Sequence, residues 1–429
     1  MTAPQGDGAL AASTGAELAA RQQELERRYR VACGSNLDLD LTRGKPSADQ
    51  LALSDALDGI LDGDYIASDG TDTRNYGGLR GIPEARALGA EIMGLLPDQV
   101  IAAGNSSLNL MYVTVDTALR YGLNGAAWEG GGPVKALCPV PGYDRHFTLT
   151  EALGIGMTAI GMTDAGPDMD RVEALVDSDP SVKCLWCVPK YSNPTGCIYS
   201  PDTVRRIARL PERASEGFLV LWDNAYAVHD FDFPPPPLEN VLECAAEAGT
   251  EDGVVLFGST SKISFAGAGV GFVAGSPNTL DRLEARMSVM TVGHDKVNQL
   301  RHARFLGGRV REQMQAHAAR VRPKFDAIER ILSESLGGLG AAAWTRPRGG
   351  YFVTVNTLPD LASEVVSLAG AAGVKLTPAG ATHPGGHDPE DRIIRLAPTF
   401  AADDEVAAAT EILALCIELA SVRKLGRAK

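Results

Sequence analysis

Four short segments carry residues able to do amine, carbonyl and carboxylate chemistry, in a fixed order along the chain. They are Asn193-Pro-Thr-Gly196, Asp223-Asn-Ala-Tyr226, Ser259-Thr-Ser-Lys262, and Arg395 within Arg392-Ile-Ile-Arg-Leu-Ala-Pro-Thr399. Each follows a predicted strand or lies in one. Lys262 comes just after the apolar run 254–257 and Gly258, where an amine can be desolvated enough to attack an aldehyde; a solvated loop lysine is the plain alternative. Asp223 ends the run Phe218-Leu-Val-Leu-Trp222, and a carboxylate at the end of a buried strand needs a cationic partner. Otherwise it caps a helix. Arg395 in a strand presents a guanidinium fork that suits a bidentate carboxylate, or else a structural salt bridge. Gly104-Asn105-Ser106-Ser107 follows the run 99–102 and opens a predicted helix through residues 108–112, so its amides and hydroxyls can meet an anion or simply cap the helix.

These residues need a scaffold. Between about residues 133 and 275, short β-rich runs (134–138, 157–160, 184–188, 218–222, 254–257) alternate with helical stretches such as 202–210. Continuous apolar strands alternating with helices predict a mainly parallel sheet covered on both faces, with ligands bound beyond the carboxyl ends of its strands. Upstream, residues 17–31 show helical spacing of Leu18, Leu25 and Tyr29, and residues 36–43 turn extended. A long helical stretch, 295 to about 336, contains Pro323, which is expected to bend or break it. A strand over 351–355, a helix over 361–371 and a final helix over 402–425 complete a smaller α/β unit. The expected organisation is an arm over residues 1–45 with a disordered start, a large domain over 46–320 and a small domain over 321–429.

Composition narrows the partners. The chain has 429 residues, 45% hydrophobic, with a net charge of −14 and no Lys/Arg-rich block, so a phosphate backbone would meet repulsion and no nucleic-acid partner is expected. Neither a signal peptide nor an apolar run of roughly 18 residues is visible, and a cytoplasmic location without membrane contact is expected. Cys184 and Cys187 form a C-x-x-C pair inside a predicted strand, where residues three apart point to opposite faces and share no metal. His383 and His387 lack an evident third ligand, and no metal site is expected.

Taken together, the four segments in this order and spacing resemble the class I (fold-type I) aminotransferases, over nearly the whole chain from about Leu39. The resemblance implies that fold, with a large domain built on a mainly parallel, seven-stranded-type sheet, and pyridoxal 5'-phosphate (PLP) held by Lys262 as a Schiff base. It further implies that Asp223 pairs with the protonated pyridine nitrogen and that Asn193 and Tyr226 hydrogen-bond the ring oxygen. Tyr143, in Pro141-Gly-Tyr-Asp144, falls where the family stacks an aromatic on the ring. Ser259 and Ser261 match phosphate ligands alongside Gly104, Asn105, Ser106 and Ser107, and Tyr76, in Arg74-Asn-Tyr-Gly-Gly78, resembles a tyrosine that reaches the phosphate across a homodimer interface. Arg395 matches the arginine on the substrate α-carboxylate, with the Gly44 amide of Arg43-Gly-Lys-Pro46 nearby and Asn193 also facing substrate.

The chain departs from the family at one point. The arginine usually found eight residues after the lysine is absent from Lys262-Ile-Ser-Phe-Ala-Gly-Ala-Gly-Val-Gly271. Within the family the segments 69–78, 188–196 and 295–302 resemble a bacterial subgroup that includes aspartate aminotransferases, which makes aspartate with 2-oxoglutarate the first expectation. A second cation should then meet the distal carboxylate, and Lys296, Lys45, Arg43 and Arg301 are candidates. Alanine, an aromatic or a specialised amino acid remain as alternative substrates, as does a PLP-dependent lyase reaction on the same fold. An aminotransferase-like regulator would need a DNA-binding module, for which the stretch before Leu39 is too short.

Overall fold

The computed structural model describes residues 8–429, and the statements below concern those residues. The dominant element is a sheet of eight strands in the order Val100–Ala102, Gly271–Ala274, Val254–Ser259, Leu219–Asp223, Val182–Cys187, Lys135–Val140, Gly156–Thr163 and Gly166–Pro167. The run from Val254–Ser259 to Gly156–Thr163 is parallel throughout. Gly271–Ala274 is antiparallel to both its neighbours. The sheet has one strand more than the seven expected, and its outermost member is the two-residue Gly166–Pro167 strand, too short to announce itself in sequence.

The strands are apolar on both faces because helices cover both. Leu219, Leu221, Val255 and Phe257 face one core, while Val220, Trp222, Val254 and Leu256 face the other. Cys184 and Cys187 likewise fall in different cores, on opposite faces as their spacing requires.

A further core lies apart from the sheet. It joins Leu10, Leu18, Leu25, Leu39 and Leu41 to residues of the helices Val310–Leu336 and Asp403–Arg427 and to the antiparallel sheet of Ala342–Trp344, Val353–Thr357 and Ile393–Leu396. The disordered start expected of the arm falls at its first residues. Residues 1–7 lie outside the described residues, but Leu10 is buried and its amide donates to the Leu339 carbonyl at 3.3 Å. Of the extended stretch 36–43, only Leu39–Asp40 pairs as a strand, parallel to Val374–Lys375.

Pro323 does not break its helix, which runs unbroken from Val310 to Leu336. Val321, Lys324 and Phe325 are buried around it, and that packing outweighs a local penalty of about 3 kcal/mol. The long helical stretch is divided instead at Gly307-Gly308, where Gly308 takes φ +69° after the helix Lys296–Leu306 ends.

Candidate active site

Asn193, Asp223, Tyr226, Ser259 and Lys262 lie at or beyond the carboxyl ends of parallel strands, and Tyr143 follows the strand Lys135–Val140. Asp223 is the last residue of Leu219–Asp223, and its register partner Phe257 lies in the strand that leads through Ser259 to Lys262. Lys262 Nζ stands 5.1 Å from the centre of the Tyr226 ring and 6.0 Å from that of Tyr351. Burial pushes its amine below the ordinary lysine range, and the Asp223 charge pulls the other way. A desolvated amine beside aromatic faces is the state in which a lysine is a nucleophile or a base.

Asp223 is only 2% exposed. His146 Nε2 lies 3.0 Å from its Oδ2, while Oδ1 has no hydrogen-bond partner. A buried carboxylate oxygen without a donor is costly unless a ligand supplies one, and a protonated ring nitrogen does so with the matching charge. This observation fits PLP. The His146 ring stacks on Trp186 (centroids 4.2 Å, planes 10° apart) and meets the edge of Tyr143 at 5.0 Å, so Tyr143 and Asp223 border the same space. Burial pushes the Tyr143 and Tyr226 hydroxyls well above the ordinary range, so both stand as hydrogen-bond donors.

On the substrate side, Arg395 Nη1 contacts Asp144 Oδ1 at 2.9 Å and Asn193 Oδ1 at 3.5 Å, and Nη2 lies 3.5 Å from Thr377 Oγ1. Its Nε is buried without a partner. The guanidinium lies over the Phe352 ring at 5.3 Å, and a Cβ at Gly44 would overlap that same ring. Gly44 is thus held one aromatic ring away from Arg395, and only glycine permits the approach.

The antiparallel pairing of Gly271–Ala274 with both neighbours brings the start of the helix Ser107–Arg120 next to the end of the lysine strand. The Gly271 amide donates to the Gly104 carbonyl at 3.0 Å, and the Ser261 amide to Ser259 Oγ at 3.4 Å. Ser106 caps the helix by position but makes no side-chain cap bond, which leaves its hydroxyl free. Where the family carries its arginine, side-chain amides hold the loop instead. Asn298 Nδ2 donates to the carbonyls of Ala268 (2.9 Å) and Gly269 (3.0 Å), and Asn105 Nδ2 to that of Gly267 (3.3 Å).

Lys296 is a correction. It is buried, and its ammonium donates to the carbonyls of Asn75 (2.7 Å) and Gly77 (2.6 Å), so it braces the loop bearing Tyr76 and is not free for a substrate carboxylate. Tyr76 itself is 84% exposed, outside this chain's own cluster. Arg43 pairs with Asp40 and Arg301 with Asp58, each at 2.8 Å, whereas Lys45 stands over the Phe400 ring at 4.1 Å. Sequence reasoning missed His146, Tyr351, Phe352 and Thr377. His146 sits three residues after Tyr143 on the helix Asp144–Ala152, and that spacing, one helical turn from a site aromatic, was its only signal.

A parallel sheet with a desolvated lysine, a buried aspartate and a strand arginine around one space fits the fold-type I aminotransferases. The sequence profile of the family described as aspartate amino-transferase matches residues 13–429, and the chain belongs to that family. It is 42% identical over 404 residues to the aspartate aminotransferase of Corynebacterium glutamicum, covering 93% of each chain. The crystal structure of an aspartate transaminase from Corynebacterium glutamicum superposes with a TM-score of 0.93 at 40% identity, covering 95% of this chain and 97% of that one. At 21% identity and a TM-score of 0.72, the alpha-aminoadipate aminotransferase from Thermus thermophilus shares the fold, over 96% of this chain and 98% of that one. The chain is an aminotransferase, and membership of this family implies PLP as its cofactor. Among the described residues no helix is long and apolar enough to cross a membrane.

Proposed function

We propose that this chain transfers an amino group between an acidic amino acid, aspartate first, and a 2-oxo acid such as 2-oxoglutarate, with PLP linked to Lys262. The buried, unpartnered Asp223 Oδ1 beside the lysine turn carries the reading. The names of the Corynebacterium glutamicum relatives support the substrate. When bound, PLP supplies an electron sink for the pair left as the substrate Cα proton departs.

The chain's own residues do the rest. Asp223, oriented by His146, holds a proton on the ring nitrogen, and Asn193 and Tyr226 donate to the ring oxygen. Tyr143 covers one ring face. The amides and hydroxyls of Gly104, Asn105, Ser106, Ser107, Ser259 and Ser261 hold the phosphate at the start of a 14-residue helix. Arg395, with Asn193 and the Gly44 amide, would fix the substrate α-carboxylate, and the Lys262 amine would accept the substrate Cα proton as general base and give it up again as general acid. Of the four candidate cations for the distal carboxylate, Lys45 is the one not already engaged with a carboxylate or a carbonyl, and we assign it that contact.

The site is shared in a homodimer, with Tyr76 reaching the phosphate of a second copy. Exposed Tyr76, Val289, Met290 and Val292 support this, and the Gly77 amide ties the two segments by donating to the Val292 carbonyl at 2.9 Å. We take 46–320 as the cofactor-binding unit, and 321–429 with the arm as the unit that closes on it.

The test is a half-reaction. PLP-loaded protein is mixed with aspartate, glutamate, alanine or an aromatic amino acid, one at a time, and the cofactor absorbance is followed. Conversion to the pyridoxamine form by aspartate and glutamate, reversed by 2-oxoglutarate, is expected. Conversion only by alanine or the aromatic would overturn the acidic substrate, and no conversion by any would overturn transamination of these amino acids.

A further inference from the structure

Beneath the lysine turn lies a buried polar cluster that the site chemistry does not use. Gln50 is fully buried, and every polar atom of its amide has a partner. Its Oε1 accepts from the Ser47 amide at 3.1 Å, while the Ser47 hydroxyl donates to Asp49 Oδ1. Its Nε2 faces both His317 Nδ1 and the Tyr351 hydroxyl, each at 3.2 Å.

Proton directions follow from the acceptors at the far ends. His317 Nε2 lies 2.9 Å from the Ile263 carbonyl, which can only accept, so Nε2 carries the proton and Nδ1 accepts from Gln50. Tyr351 donates to the Lys262 carbonyl at 3.4 Å, which leaves its oxygen to accept from Gln50. The Lys262 carbonyl also faces His229 Nε2 at 3.3 Å. Gln313 Nε2 adds a second donor to the Ile263 carbonyl at 3.1 Å. Burial lowers His317 to about 4 and His229 to about 3, so both rings are neutral at ordinary pH, as these directions require.

Two polarised branches therefore start at one amide and end on consecutive carbonyls, those of the lysine and of the residue after it. Ser47, whose amide holds Gln50 Oε1, is three residues from Gly44, whose backbone packs on the Phe352 ring under Arg395. We propose that Gln50 is a positioning residue that ties the Gly44–Ser47 segment to the Lys262 turn, through Tyr351 to the Lys262 carbonyl and through His317 to the Ile263 carbonyl. The segment that meets the substrate carboxylate and the lysine that moves the proton then share one hydrogen-bonded frame. A buried network satisfied in one direction only is rigid, because reversing any member strands a donor or an acceptor. The inference rests on the reading of Lys262 as the cofactor lysine.

The test compares Gln50→Met, His317→Leu and His317→Gln with the parent holoenzyme. Gln50→Met keeps the length and removes both branches, His317→Leu removes one, and His317→Gln can restore a donor and an acceptor. Expected for Gln50→Met and His317→Leu is a fall in kcat of about tenfold or more with KM changed far less. The pH midpoint of the lysine-linked cofactor band should also move by about half a unit. His317→Gln should recover most of both. In cofactor-free protein, hydrogen exchange at the amides of residues 261–264 should quicken in the first two variants, a readout independent of turnover.

Parent-like kcat, band midpoint and exchange in a folded Gln50→Met, or His317→Gln no better than His317→Leu, would overturn the brace. Should Gln50→Met fail to fold, the His317 pair still decides. A parent protein with no lysine-linked band overturns the PLP reading itself, whereas a normal parent band with unaffected variants overturns only the brace.

Discussion

His146 Nε2 stands 3.0 Å from Asp223 Oδ2, with both groups buried and the second carboxylate oxygen left without a partner. The ring fixes the orientation of the carboxylate and leaves one oxygen for the cofactor. Asp223→Asn keeps the shape and removes the charge, and should lower kcat by about two to three orders of magnitude. His146→Phe can keep the stack on Trp186 and loses only the hydrogen bond, so a fall of about tenfold is expected. Steady-state kinetics on folded variants check both, and equal losses would contradict the division of roles.

Gly44 tests the substrate side. A Cβ there overlaps the Phe352 ring, which lies under the Arg395 guanidinium. Gly44→Ala should therefore displace the ring and raise KM for every amino-acid substrate by about tenfold, about 1.4 kcal/mol of binding, with kcat changed less. Adding Phe352→Leu makes room for the methyl group and should recover part of the loss. An unchanged KM in Gly44→Ala would show that the Arg395 contact does not depend on this ring.

Lys296→Met removes a buried ammonium that holds the carbonyls of Asn75 and Gly77. Each charged hydrogen bond contributes on the order of 1.5–3 kcal/mol, so the Tyr76 loop should loosen. The expected outcome is a weaker dimer by sedimentation and an equal loss of kcat/KM for aspartate and for alanine. A loss confined to acidic substrates would instead place Lys296 on the distal carboxylate.

The neutral histidines give a pH dependence with a defined sign. His317 and His229 sit at about 4 and about 3 in the folded protein, against 6.5 for an unburied histidine. Between those values the unfolded chain binds more protons, so this contribution is complete above about pH 6.5 and is lost as pH falls toward 4. Each ring should account for on the order of 2 kcal/mol of that loss. Urea denaturation at pH 7.5, 6, 5 and 4.5, roughly spanning the window, checks it. His317→Gln should flatten the decline, and a parallel decline in that variant would refute the assignment.

Much of this protein was legible in its sequence, for a local reason. An apolar run ends where a strand leaves the core, and in a parallel sheet covered on both faces the next residues are the ones at the ligand edge. Asn193, Asp223 and Lys262 could be placed in that way, and Arg395 by its position inside a strand. Sequence by itself determined these strands and their order along the chain, because side-chain periodicity is a property of neighbours.

Tertiary structure decided which distant residues meet. His146 and Asp223 are 77 residues apart, Lys296 and Asn75 are 221, and Gln50 and His317 are 267. No local pattern encodes those pairs, since a buried polar group takes whatever partner the packed elements bring within reach. The same reason explains Lys296, whose helical position suggested a free cation until the fold set two carbonyls against it. Pro323 shows the other limit: a local breaking signal stayed silent because the cores around its helix supply more free energy than one lost hydrogen bond removes.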